Sequence, residues 1–133
     1  MNQHTISAPF TLSGKGLHTG LHITANFLPA DENTGIQLCR IDLPGKPTHQ
    51  ALADYVSATE RGTVLEHGAW KISTVEHALS ALYAMGVDNC LIELDGPEMP
   101  ILDGSAKLFV KAIQAAGLQE QQTERKVFVV TEP

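Results

Sequence analysis

The chain has no long hydrophobic run. No stretch of its 133 residues approaches the roughly 20 apolar residues that a spanning helix needs, so no transmembrane segment is expected. It does not open with a basic segment followed by an apolar run, so no signal peptide is expected either. Lysine and arginine are few and unclustered, and the net charge is -6. That balance excludes the cationic footprint of a nucleic-acid-binding protein, although a few local cations could still serve a small anionic ligand. Cysteine is scarce: Cys39 and Cys90 lie in apolar, strand-like stretches without a Cys-x-x-Cys pattern. Two buried thiols in a reducing compartment follow, not a disulfide. Repeats, low-complexity tracts, linkers and a glycine-rich phosphate loop are all lacking. These absences lead us to expect a cytoplasmic protein that meets no nucleic acid and has no transmembrane segment.

What is present fits one folded domain over residues 1–133. The hydrophobic fraction is 43% and the charged fraction 18%, the balance of a globular chain. A chain of this length can bury roughly two thirds of its unfolded surface, enough for its own core. Its centre is the stretch from Lys71 to Gly86. Between Val75 and Met85 the only charged side chain is Glu76 and the only imidazole His77. Such a helix is apolar on nearly every side and is expected in a core. Ser73 and Glu76 match a capping box at its start. Gly86 fits the left-handed position past its end, with Val87 folding back on Leu82.

Around that helix the pattern predicts strands. Residues 4–12 alternate, with Pro9 marking an edge or bulge. Leu21 to Leu28 alternate as well, and the two runs form a hairpin across the glycine-rich 13–20 connection. Ile36 to Ile41 is a third strand, and residues 51–58 and 62–65 are short extended pieces. Asn89 to Leu94 is a central strand by its apolar content, and Val127 to Val130 is a last one. A second helix is expected over about 105–116, with apolar stripes Leu108/Ala112/Ala115 and Phe109/Ile113/Ala116, ended by Gly117. The result is an α+β two-layer sandwich: a mixed, mainly antiparallel sheet of about five strands backed by two helices on one face.

Two readings of Glu76 and His77 stand. In one, Glu76 closes the capping box and His77 is a satisfied core histidine. In the other, the positive helix terminus favours the carboxylate and keeps the imidazole neutral, the form that binds a metal. A carboxylate beside a ligand histidine is also the arrangement of His-Glu-x-x-His zinc hydrolases, where it takes a proton from water. A catalytic zinc needs three protein ligands, and this chain supplies one. His18 and His22 are four apart but flank a glycine-rich turn, where we expect them to diverge. His4, His49 and His67 are expected to be exposed. Asp103 and Ser105 either cap the second helix or supply a carboxylate that orients the metal histidine or its water.

Four stretches in this order then fit one pattern: Gly16-Leu17-His18-Thr19-Gly20, Ile72-Ser73-Thr74-Val75-Glu76-His77, Val87-Asp88-Asn89, and Pro97 through Ala106. Together they resemble the N-terminal half of UDP-3-O-acyl-N-acetylglucosamine deacetylase, the zinc amidase of bacterial lipid A synthesis. The sequence is also similar to forms fused to a 3-hydroxyacyl-carrier-protein dehydratase. The resemblance implies two similar α+β domains with the active site between them, of which this chain is the first. It implies that His77 is a zinc ligand, that Glu76 is the general base, and that His18 and Asp103 lie near the site. It implies further that the other zinc ligands, a histidine and an aspartate, and a general-acid histidine come from the second deacetylase domain. The substrate implied is a UDP-linked acylated amino sugar, and the chain alone is expected to be inactive and to hold no zinc tightly. The competing expectation is a non-catalytic binding or assembly module that keeps the deacetylase-like fold. An exposed apolar surface should mark where the second half docks, with the start of the helix and the Gly16–Gly20 loop at its rim.

Overall fold

A computed structural model describes residues 1–127 and 129–131. Its elements, in chain order, are β1 (Asn2–Ile6), β2 (Phe10–Lys15), β3 (His22–Pro29), β4 (Ile36–Arg40), β5 (Thr48–Gln50), β6 (Val56–Ala58), β7 (Val64–His67), β8 (Trp70–Ser73), α1 (Glu76–Ala84), β9 (Cys90–Leu94), α2 (Lys107–Ala116) and β10 (Leu118–Glu124). The main sheet has five strands in the order β2-β3-β9-β4-β5. It is mixed, because β4 and β9 run parallel while the other neighbours are antiparallel. The α+β sandwich expected from the pattern is present, and β9 is central as its composition required.

Alternation decides which face is covered. On β3, Ile23, Ala25 and Phe27 are buried, and on β9, Cys90, Ile92 and Leu94. Helix α2 brings Phe109 and Ile113 to that face and α1 brings Ala78, Ala81 and Leu82, all in one core. Phe10 stacks on Phe27 at 4.5 Å, and Phe27 meets Phe109 at 6.2 Å, tilted. Of the two stripes on the second helix, the one through Phe109 and Ile113 is the core stripe, and Leu108 is exposed. Both cysteines are buried free thiols.

Several expectations change. Residues 4–12 are two strands, broken at Ser7-Ala8-Pro9; β1 leaves the main sheet and pairs with β10. Proline cannot donate to a ladder, so the break falls where the pairing switches partner. A further sheet, β6-β7-β8, stands beside the main one and feeds into α1. The strand expected over 127–130 includes Phe128, outside the described residues; Val127, Val129 and Val130 are exposed and in no strand. His4 and His49 are half-buried rather than exposed, because each lies on a paired strand. Helix α1 is buried on one face only, and Tyr83 on its other face is 88% exposed.

The C-terminus of α1 follows the sequence closely. Gly86, at φ +77, donates its amide to the Tyr83 carbonyl, and the Val87 amide reaches the Leu82 carbonyl at 2.9 Å. That is the double bond of a left-handed glycine cap, and Val87 and Leu82 are both in the core.

Candidate active site

The site is built where β8 ends. Thr74, the next residue, takes φ +61. A left-handed backbone costs a β-branched residue about 1–2 kcal/mol. Bonds on both sides hold it there. The Thr74 amide donates to the Thr63 carbonyl at 2.9 Å, the Ser73 amide to the Pro97 carbonyl at 2.9 Å, and the Met99 amide to the Ser73 carbonyl at 3.0 Å. The strand therefore turns abruptly, and Glu76 and His77 become the first two residues of α1.

This geometry overturns the capping box. Ser73 belongs to β8, the helix is preceded by Val75, and no side chain caps it. Glu76 instead uses Oε2 to accept the amide of Thr63, thirteen residues earlier, at 2.6 Å. Its Oε1 is buried and has no hydrogen-bond partner among the described residues. A buried polar atom without a partner costs on the order of 1–3 kcal/mol and marks a place where another donor belongs. Burial pushes the Glu76 carboxyl up. The amide and hydroxyl of Thr63, the amide at the helix start and the charge of His77 outweigh it, and the carboxyl lies below its ordinary 4.5. At neutral pH Glu76 is a carboxylate. His77 beside it is half-buried.

His18 reaches the same place from the Gly16–Gly20 loop. Its Nε2 lies 2.7 Å from the Arg61 carbonyl; a carbonyl only accepts, so Nε2 carries the hydrogen. Gly62, next in the chain, is the floor. A Cβ there would lie 3.7 Å from Glu76 Oε1, 3.7 Å from His18 Nε2 and 3.8 Å from Thr74 Oγ1. Three polar groups thus converge over one glycine. Asp103 does not join them. It is exposed and accepts from the amide and hydroxyl of Ser105, while that hydroxyl accepts from the Lys107 amide. Its Ser105 bonds hold its carboxyl below the usual range. Asp103 is engaged in local bonding at the entrance of α2.

A further residue at the site, Glu98, reads in the sequence as part of a turn. It is fully buried. Its Oε2 accepts the His18 amide at 3.0 Å and the Thr74 hydroxyl at 2.9 Å, and its Oε1 accepts the Thr19 amide at 3.0 Å and the Thr19 hydroxyl at 2.9 Å. Burial raises the Glu98 carboxyl, but the amides of Thr19 and His18 and the hydroxyls of Thr74 and Thr19 more than reverse this, and it lies below its ordinary 4.5. Gly16 is glycine because any Cβ would collide with this carboxylate. The one cue available in the sequence was an acidic side chain between two prolines, opposite a glycine-rich loop.

Among the described residues, no group of three or more His, Cys, Asp or Glu side chains could hold a metal ion. One half-buried imidazole and one carboxylate with a buried, unpartnered oxygen stand next to each other at the start of α1.

The chain belongs to the UDP-3-O-acyl N-acetylglycosamine deacetylase family, whose model matches residues 3–133. It is 52% identical to the bifunctional enzyme LpxC/FabZ of Bacteroides thetaiotaomicron over 98% of this chain and 28% of that protein. It is 54% identical to the enzyme of the same name from Porphyromonas gingivalis, over 96% of this chain and 28% of that one. It is 44% identical to the UDP-3-O-acyl-N-acetylglucosamine deacetylase of Bdellovibrio bacteriovorus, over 98% of this chain and 43% of that one. The chain therefore spans well under half the length of these relatives.

Proposed function

We propose that this chain is the first half of a two-domain, zinc-dependent enzyme that hydrolyses the N-acetyl group of a UDP-linked, 3-O-acylated glucosamine in lipid A synthesis. The observation that carries the reading is the free, buried Oε1 of an ionised Glu76 beside a half-buried imidazole, in a chain of this deacetylase family. The residues present fit a metal completed from elsewhere: His77 would hold it, and the remaining ligands would come from the second domain. Zinc, when bound, supplies Lewis-acid polarisation of the acetyl carbonyl.

The chain's own residues do the rest. Glu76 Oε1 accepts the proton of the attacking water, a general-base role supported by its being ionised at neutral pH and by the lack of a competing donor on that oxygen among the described residues. Thr63 fixes the other oxygen, so the carboxylate keeps one orientation. His18 stands across Gly62 and orders that side of the site.

The outer face of α1 supports the missing half. Leu79, Tyr83 and Val87, with Leu52 and Ala51 from the β5 side, line a cavity of about 340 Å³. Tyr83 and Leu52 are its exposed apolar side chains; such a surface suits a docking domain, and we assign it to the remainder of the enzyme. The buried free thiols are in keeping with a reducing, cytoplasmic setting.

The test compares the full-length protein with residues 1–133. The full-length protein should contain zinc and release acetate from UDP-3-O-acyl-N-acetylglucosamine. The isolated chain should do neither. Zinc held tightly by the isolated chain would contradict the divided site.

A further inference from the structure

We propose that Glu98 is a positioning residue for the deacetylation, setting His18 against Glu76 by clamping the Gly16–Gly20 loop to the entrance of α1. The proposal rests on the reading that Glu76 is the general base. Glu98 touches neither Glu76 nor the place where the reacting atoms would sit, and it acts through the groups it holds.

The geometry is specific to a carboxylate. The His18 amide is shared, 3.0 Å from Oε2 and 3.3 Å from Oε1, while the Thr19 amide points at Oε1 at 3.0 Å. Each oxygen also takes a hydroxyl, from Thr74 and Thr19 respectively. A glutamine has the same shape but one acceptor oxygen. With its NH2 at the Oε1 position it faces both backbone amides; with its NH2 at the Oε2 position it faces the His18 amide and leaves that amide only the longer 3.3 Å contact to the remaining oxygen. The two threonine hydroxyls could adapt by rotating; the two backbone amides cannot. Both functional threads of the site meet at this side chain. One is the loop that carries His18 to the Arg61 carbonyl. The other is Thr74, whose left-handed backbone starts the turn to Glu76 and whose hydroxyl is also close to Gly62. The parallel bridge between Ser73 and Glu98 ties the same two segments through the backbone. Loosening the clamp should therefore displace His18 relative to Glu76 and leave the outlying substrate contacts alone.

The experiment uses the full-length, zinc-loaded enzyme. Glu98→Gln should lower kcat at least tenfold while KM stays within about twofold, with zinc content unchanged. In a His18→Ala background the same substitution should cost less than threefold, because the group it positions is gone. Should Glu98→Gln fail to fold, Thr19→Val removes one hydroxyl from the same carboxylate and should show the same dependence on His18. A full tenfold loss that persists in the His18→Ala background, or a Glu98→Gln enzyme with unchanged kcat, would overturn the proposal. Glu76→Gln run alongside separates the two readings. If that variant keeps full activity, the general-base assignment fails, whatever Glu98 does.

Discussion

The two helices enter the fold in opposite ways. At α2 the polar residues bond among themselves: Asp103 holds Ser105, and Ser105 holds the amide of Lys107, all within five residues and in solvent. At α1 the side-chain hydrogen bonds are remote. Glu76 bonds Thr63, Thr74 bonds Glu98, and Glu98 bonds His18 and Thr19, across three distant segments. Both entrances look alike in the sequence, a short polar motif before an apolar run. At α2 the motif is satisfied by its neighbours; at α1 it turns to remote partners and leaves Glu76 Oε1 without one among the described residues.

Substitutions can break that contrast, and the largest effect should come at α1. His77→Ala in the full-length enzyme should strip the metal and lower kcat/KM by a hundredfold or more, read by metal analysis and acetate release. Retention of stoichiometric metal would remove His77 from the ligand set. Gly16→Ala should come next. Its Cβ must push Glu98 out of place, and because that carboxylate is buried in backbone bonds the loop has to move with it. We expect a loss of about 1–3 kcal/mol in denaturant unfolding, the cost of unpaired buried groups; an unchanged midpoint would show that the clamp is dispensable.

Acid should reveal the same asymmetry more gently. The carboxyls of Glu76 and Glu98 lie below their ordinary 4.5 in the folded chain. Each therefore contributes stability that is complete above about pH 4.5 and is lost as pH falls through the lowered folded values. Melting temperature followed downward from neutral pH should fall over that window, and Glu98→Gln should flatten the fall. A variant with the wild-type acid slope would show that Glu98 is not one of the groups responsible. Smallest of all, Asp103→Asn should leave activity within about twofold and lower the melting temperature only slightly, because its bonds are exposed and local. A large loss of kcat would return Asp103 to the site.

Much of the main sheet was legible because its strands obey one rule. Alternation on β3 and the apolar run of β9 each have a single buried solution, and Gly86 and Gly117 mark helix ends that only a left-handed residue can make. The site was less so. Glu76 and His77 stood out as polar residues on an apolar helix, and the Gly16–Gly20 loop by its glycines. The left-handed Thr74 could not be foreseen, since threonine is disfavoured there and only remote bonds hold it. That one residue moved Ser73 into β8 and dissolved the predicted capping box. Glu98 was hidden for a related reason: its partners are backbone amides eighty residues away, and backbone amides leave no trace in a sequence. The outer face of α1 was read as buried because its side chains are apolar, yet among the described residues nothing covers Tyr83.

The central claim is that Glu76 keeps one oxygen free in order to take a proton. The direct measurement is kcat of the full-length, zinc-loaded Glu76→Gln enzyme near neutral pH, with metal content checked on the same sample. A general base is worth roughly a hundredfold to ten-thousandfold, so a drop of that size with full zinc occupancy is the predicted result. Turnover within twofold of the unsubstituted enzyme would contradict it.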